Sequence, residues 1–203
     1  MFSKKELKNI WNKFWFLLWK DDSIKGWVFS IIIIFVFIKF IFFPGLSFVT
    51  GTSLPLAIVE SCSMYHDGNL LSNYNKWLQD HEKKYSKFEI EDFKDFEFKK
   101  GFNKGDILLV TGANPEKLKV GDVVIFNGGA NHPIIHRIIE INGNTFSTIG
   151  DNNNGQLSFE KNISTEKIIG KAKFKIAPYV GWLKLIFFEN KKSFSEKGLC
   201  KEK

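Results

Sequence analysis

Apolar residues are spaced in three different ways along this chain. In "LKNIWNKFWFLLW", Ile10, Trp11, Phe14, Leu17 and Leu18 recur at helical spacing among Lys4, Lys5, Lys8, Lys13, Lys20 and Lys25. This mixture over 1–26 predicts an amphipathic helix suited to a membrane interface; docking on protein is the competing use of such a face. "WVFSIIIIFVFIKFIFF", residues 27–43, is then apolar with no period. As a helix it rises ~26 Å against a hydrocarbon core of ~30 Å. Lys39 can snorkel, and Ile24 or the segment after Pro44 can lengthen the span. One transmembrane anchor over 27–46 is the expectation. The long charged leader and the lack of a small-x-small site argue against a cleaved signal peptide.

Beyond Pro44, "PGLSFVTGTSLPLAIVE" reads as a Gly/Pro-rich linker running into a strand. Leu70, Leu71, Tyr74, Trp77 and Leu78 then suggest an amphipathic helix within a charged, aromatic insertion over 69–101. After it come short β runs cut by Gly, Asn and Asp: "GDILLVTG", "GDVVIFNGG", "HPIIHRIIEING", "TFSTIGDNNNG", "KIIGKAKFKI" and "YVGWLKLIFF". The pattern predicts a mainly β, antiparallel domain over 47–188 with a small helical insertion, followed by a polar, mobile tail over 189–203.

A hydrophobic content of 44% with 16% aromatic residues excludes a disordered chain. The net charge of +7 is almost all lysine, since Arg137 is the single arginine. Nucleic acid is therefore not an expected partner. Six lysines precede the apolar span, and after Lys39 the next positive residue is Lys76. By the positive-inside rule the N-terminus is cytoplasmic and the β domain lies outside. Cys62 and Cys200 make no framework, and no disulfide between them is expected. There is no CxxC pair, and cysteine usage leaves the compartment open.

Candidate chemistry centres on "IVESCSMYHDG", residues 58–68, with Ser61 and Ser63 on either side of Cys62. A serine attacks only when a base removes its proton and donors hold the oxyanion. The possible imidazole bases are His66, His81, His132 and His136. His81 reads as a solvated surface residue, and His66–Asp67 as either substrate-contacting or exposed. His136, inside "IIHRII", faces either the core or a site. Asp151 opens a turn, where an aspartate is common for backbone capping alone. A metal site can be drawn from His132 and His136 with His66 or Asp67, but no metal or other cofactor is expected.

In order, the segments "VESCSMYHDG", "KGDILLV", "VGDVVIF", "IIHRIIEI", "TIGDNN" and "IIGKA…PYVGW" resemble the type I signal peptidases of archaeal and endoplasmic-reticulum type. The likeness runs from the anchor to about Lys184, interrupted by the insertion. It implies Ser63 as nucleophile, His136 as base, Ser61 and the Ser63 N–H as oxyanion donors, and Asp151 as supporting acid. It also implies cleavage of small-x-small sites in exported preproteins. The implied partners are signal peptides, the lipid membrane and the protein-export channel. A histidine base must be neutral, so activity is expected to fall below roughly pH 6–7. Two positions depart from the pattern. Cys62 stands where the family has glycine, which makes it a rival nucleophile, and Leu157 stands where the family has a second acid. Glu160 is the alternative acid. A catalytically silent membrane-anchored binding protein is the competing reading that these departures favour.

Overall fold

A computed structural model describes residues 3–67, 74–88, 96–129, 132–193 and 196–201; the side chains of 74–76, 78 and 80 are also outside the description. The expected helix positions Leu70 and Leu71, and the side chains of Tyr74 and Leu78, therefore lie outside the described residues. The chain divides into two units, Met1–Val49 and Thr50–Lys203.

In the first unit, α1 spans Lys4–Trp19 and starts at a capping box, Ser3 with Glu6, which satisfies two otherwise orphan N–H groups. Its apolar residues Ile10, Trp11, Trp15 and Trp19 are exposed. A second, continuous helix covers Ile24–Thr50 and is long and apolar enough to cross a membrane. It is built from α2 (Ile24–Phe37), a π-helical turn (Ile38–Phe42) and α3 (Phe43–Thr50). The helix passes through Pro44, where the sequence reading placed a linker. Proline removes a donor and its ring crowds the carbonyl four residues back. The wider π turn directly before it makes room for that ring. Where the two helices meet, Ser30 Oγ donates to Leu18 O (3.0 Å) and Gly26 is buried. A Cβ on Gly26 would lie 2.3 Å from Asp21 O, so close approach requires glycine there.

The second unit is an antiparallel sheet with helical additions, as the β runs predict. Its strands are β1 (Leu56–Ile58), β2 (Ile107–Thr111), β3 (Val123–Phe126), β4 (Ile134–Asn142), β5 (Thr145–Ile149), β6 (Ile163–Ser164) and β7 (Ile168–Ala177). The spatial order is β1-β2-β7-β3-β4-β5-β6. α4 (Tyr74–Ser86) lies within the insertion, and α5 (Trp182–Leu185) follows β7. β3 is buried along its whole length, which explains why "VVIF" does not alternate. Val123 and Ile125 join Met64, Phe102, Leu108 and Val110 in one core. Val124 and Phe126 face the other way and join Ile138, Phe146 and Ile163. Each such side chain, fully buried, contributes about 1.5–3 kcal/mol. A third cluster of Trp77, Tyr85, Ile139 and Ile149 seats α4 on β4 and β5.

Candidate active site

β1 ends at Ile58, and the chain turns through Glu60, Ser61, Cys62 and Ser63 before Met64 plugs into the core. Ser61 is exposed and Ser63 half-buried. Their hydroxyls are hydrogen-bonded to each other at 3.1 Å. The turn is pinned to the one after β5: Asn152 N donates to Ser63 O (2.7 Å), and Asn152 Nδ2 donates to Cys62 O (2.9 Å). Among the described residues the Ser63 N–H donates to no group, so it is available to a substrate oxygen.

β4 carries His136 and Arg137 in adjacent positions, paired in register with Val124 and Val123 of β3. Successive side chains on a strand point to opposite faces. Arg137 therefore looks toward the side covered by α4, where it meets Asp151, while His136 looks the other way and meets Glu160. The Asp151 carboxylate takes Arg137 Nη2 (2.7 Å) and Nε (3.0 Å), Tyr85 Oη (2.8 Å) and His66 Nε2 (2.8 Å). Among the described residues no hydrogen bond or ion pair joins it to His136. Burial alone would push Asp151 up, but Arg137 and His66 outweigh it and hold the carboxyl well below the usual range.

His136 Nδ1 lies against Glu160 Oε1, and among the described residues neither atom has another polar partner. Both side chains are buried. Contact at Nδ1 leaves Nε2 as the ring nitrogen without a protein partner among the described residues. Glu160 closes the 3₁₀ turn Ser158–Glu160, and its Oε2 accepts from Leu157 N at 2.6 Å. In a 3₁₀ turn residues i and i+3 eclipse. Leu157 carries no carboxylate, and the one beside it in space comes from Glu160, three residues on. Leu157 itself points largely to solvent. Gln156 Nε2 ties this turn to β5 through Thr148 O (3.1 Å).

Four sequence expectations change. Cys62 and Cys200 are joined in a disulfide with a Cα–Cα separation of 5.3 Å, so Cys62 is not a free thiol. The tail beyond Glu189, expected to be mobile, is fastened by that bond where it is described. His66 is not exposed: it is 2% exposed, its Nδ1 lies 2.7 Å from Lys99 O, and it stacks on Trp77 at 3.6 Å. Burial pushes the His66 imidazole down, against the upward pull of Asp151. His81, expected to be solvated, also stacks on Trp77, at 4.4 Å, and donates from Nδ1 to Trp77 O (2.8 Å). Cys62 is also not among the non-glycine residues with positive φ, so its backbone does not call for the glycine it replaces. No group of three or more His, Cys, Asp and Glu is placed to hold a metal among the described residues.

The sequence reading missed His66 and Tyr85 as partners of Asp151, and only the polar "HDG" after the turn hinted at the first. A depressed carboxyl stabilises the fold above its unfolded value and loses that contribution as pH falls toward its folded value. The Asp151 contribution is therefore complete above about pH 4 and lost progressively below it. Urea unfolding midpoints measured across this range should fall with acidification, and fall less in Asp151→Asn.

No family model matches the chain. It is 33% identical over 100 residues to the signal peptidase complex catalytic subunit SEC11C of Homo sapiens and of Mus musculus, covering 42% of this chain and 50% of those proteins. The signal peptidase complex catalytic subunit SEC11 of Zygosaccharomyces rouxii is 29% identical over 164 residues, 75% of this chain and 77% of that protein. The chain spans about half the length of the mammalian relatives it matches. Its homologues are thus named as catalytic subunits of signal peptidase, in agreement with the resemblance carried by its motifs.

Proposed function

We propose that this chain, a homologue of signal peptidase catalytic subunits, is a membrane-bound serine endopeptidase that removes signal peptides from exported preproteins. The observation that carries the reading is the buried contact of His136, on β4, with Glu160, in the 3₁₀ turn after β5. It orients an imidazole whose second nitrogen is uncommitted, in a domain that also holds a serine with an unoccupied N–H. His136 Nε2 takes the proton of Ser63 Oγ as Oγ attacks the scissile carbonyl. The Ser63 N–H and the Ser61 hydroxyl hold the oxyanion. His136 then gives its proton to the leaving amine, leaving an acyl ester on Ser63. Water, deprotonated by the same Nε2, releases the signal peptide and restores Ser63. Glu160 keeps the proton on Nδ1 and stabilises the imidazolium. Asp151 acts through structure, anchoring Arg137 and the turn that grips Ser63.

The helix Ile24–Thr50 serves as the anchor, with the N-terminus cytoplasmic and the β domain outside. The Cys62–Cys200 bond supports that side, because disulfides persist in oxidising compartments. Phe174, Ile176, Leu183, Ile186 and Phe187, exposed on and after β7, support contact of the β domain with lipid. The site would meet small-x-small sequences at the outer membrane face as they leave the export channel. The two departures that favour a silent binding protein lose force, since Glu160 supplies an acid and Cys62 is tied away.

Incubation of the detergent-solubilised protein with a preprotein tests the reading. Release of a mature chain cut after a small residue is expected near neutral pH, with a decline on acidification. Absence of cleavage at every pH, by a folded protein, would instead favour the binding protein.

A further inference from the structure

We infer that the C-terminal residues 189–193 and 196–201 are part of the machinery that positions the nucleophile, with the Cys62–Cys200 bond as its latch. The inference rests on the reading of Ser63 as nucleophile. Cys62 lies between Ser61 and Ser63, so a constraint on it acts one residue from both hydroxyls. The bond joins positions 138 residues apart. Around it, one side-chain amide brackets both partners. Asn152 Nδ2 donates to Cys62 O and to Lys201 O, each at 2.9 Å, while Asn152 N holds Ser63 O.

Noncovalent contacts bring the same segment to the same place. Lys104 is 1% exposed, and its ammonium is satisfied by Glu189 Oε1, Glu196 O (2.7 Å) and Gly198 O (3.3 Å). All three belong to the segment, so its departure would leave a buried charge with no acceptors from these groups. Gly198 N donates back to Glu189 Oε1 at 2.8 Å, which folds the segment on itself. Lys192 Nζ reaches Glu60 O, two residues before Cys62.

The turn needs such support. Residues 60–63 lie outside any strand, and Ser61 is exposed. Within the turn, Tyr65 N donates to Cys62 O at 3.2 Å. A nucleophile must be held to within about 0.5 Å of its productive position. The cysteine at a glycine's usual place therefore contributes its sulfur rather than a backbone conformation.

A dithiol reductant opens the latch. One of its thiolates attacks a sulfur of the bond, and the second displaces the resulting mixed disulfide. Two electrons and two protons pass to the protein, giving two thiols, and the dithiol leaves as a cyclic disulfide. The chain has two cysteines in all, so the treatment touches this one bond.

The test compares the full-length solubilised protein, oxidised and after dithiothreitol, with Cys200→Ser. Peptide mapping without reductant should find Cys62 linked to Cys200. On reduction, kcat for a preprotein should fall about 10- to 100-fold with KM little changed, as expected for a misplaced nucleophile. Cys200→Ser should match the reduced protein and no longer respond to dithiothreitol. Trypsin should cut after Lys191, Lys192 and Lys197 faster in both.

Full kcat in protein shown by mapping to be reduced overturns the inference, even if the melting temperature drops. Mapping that finds free thiols in protein purified under oxidising conditions overturns it as well. Failure of the oxidised wild type to cleave, with the link present and the tail protected from trypsin, overturns the peptidase reading and the positioning role with it.

Discussion

Ser63→Ala should lower signal-peptide cleavage by about 10⁴-fold or more while the protein stays folded. The Ser63 hydroxyl is half-buried and bonds to Ser61, so its removal leaves no buried charge or cavity. Stability should change by no more than about 0.5–1 kcal/mol. His136→Ala should be as damaging, and the double variant no worse than either, because base and nucleophile act as one unit. Ser61→Ala should cost less, roughly 10²- to 10³-fold, as loss of one oxyanion donor does. The disulfide keeps Cys62 from standing in for Ser63. Rate measurements with purified variants, checked for folding by circular dichroism, decide the matter. A Ser63→Ala protein that retains cleavage would remove Ser63 from the mechanism.

Glu160→Gln and Asp151→Asn should separate activity from stability. Glu160→Gln keeps the shape but removes the charge opposite His136 Nδ1. A cut in kcat of about 10²- to 10⁴-fold is expected. Asp151→Asn acts elsewhere, because it strips the counter-charge from a buried Arg137. Breaking such a pair from one side costs about 3–5 kcal/mol. Its melting temperature and urea midpoint should fall well below those of wild type, with activity lost as the fold is lost. If Asp151→Asn keeps wild-type stability but not activity, and Glu160→Gln keeps activity, the two roles are reversed.

The uncertainty between these two acids shows what a sequence can and cannot carry. Both carboxylates follow β5 within a dozen residues, and spacing alone does not rank them. The ranking comes from alternation on β4: His136 and Arg137 point to opposite faces, so one acid cannot serve both. That argument becomes available only once the pairing of β4 with β3 and β5 is known. Pro44 offers a similar lesson, since its local bias ends a helix and the preceding π turn overrides it.

The period of the apolar residues sufficed for the antiparallel β domain and the long N-terminal apolar helix, because burial of a strand or helix face is written into nearby positions. Short motifs carried the resemblance that puts forward Ser63 and His136 as expected nucleophile and base. Tertiary structure alone decided that Glu160 rather than Asp151 meets His136, that His66 is buried on Asp151 from 85 positions away, and that Cys62 reaches Cys200 across 138. These choices depend on strand faces and chain reversals that bring distant residues together, and no local pattern records them.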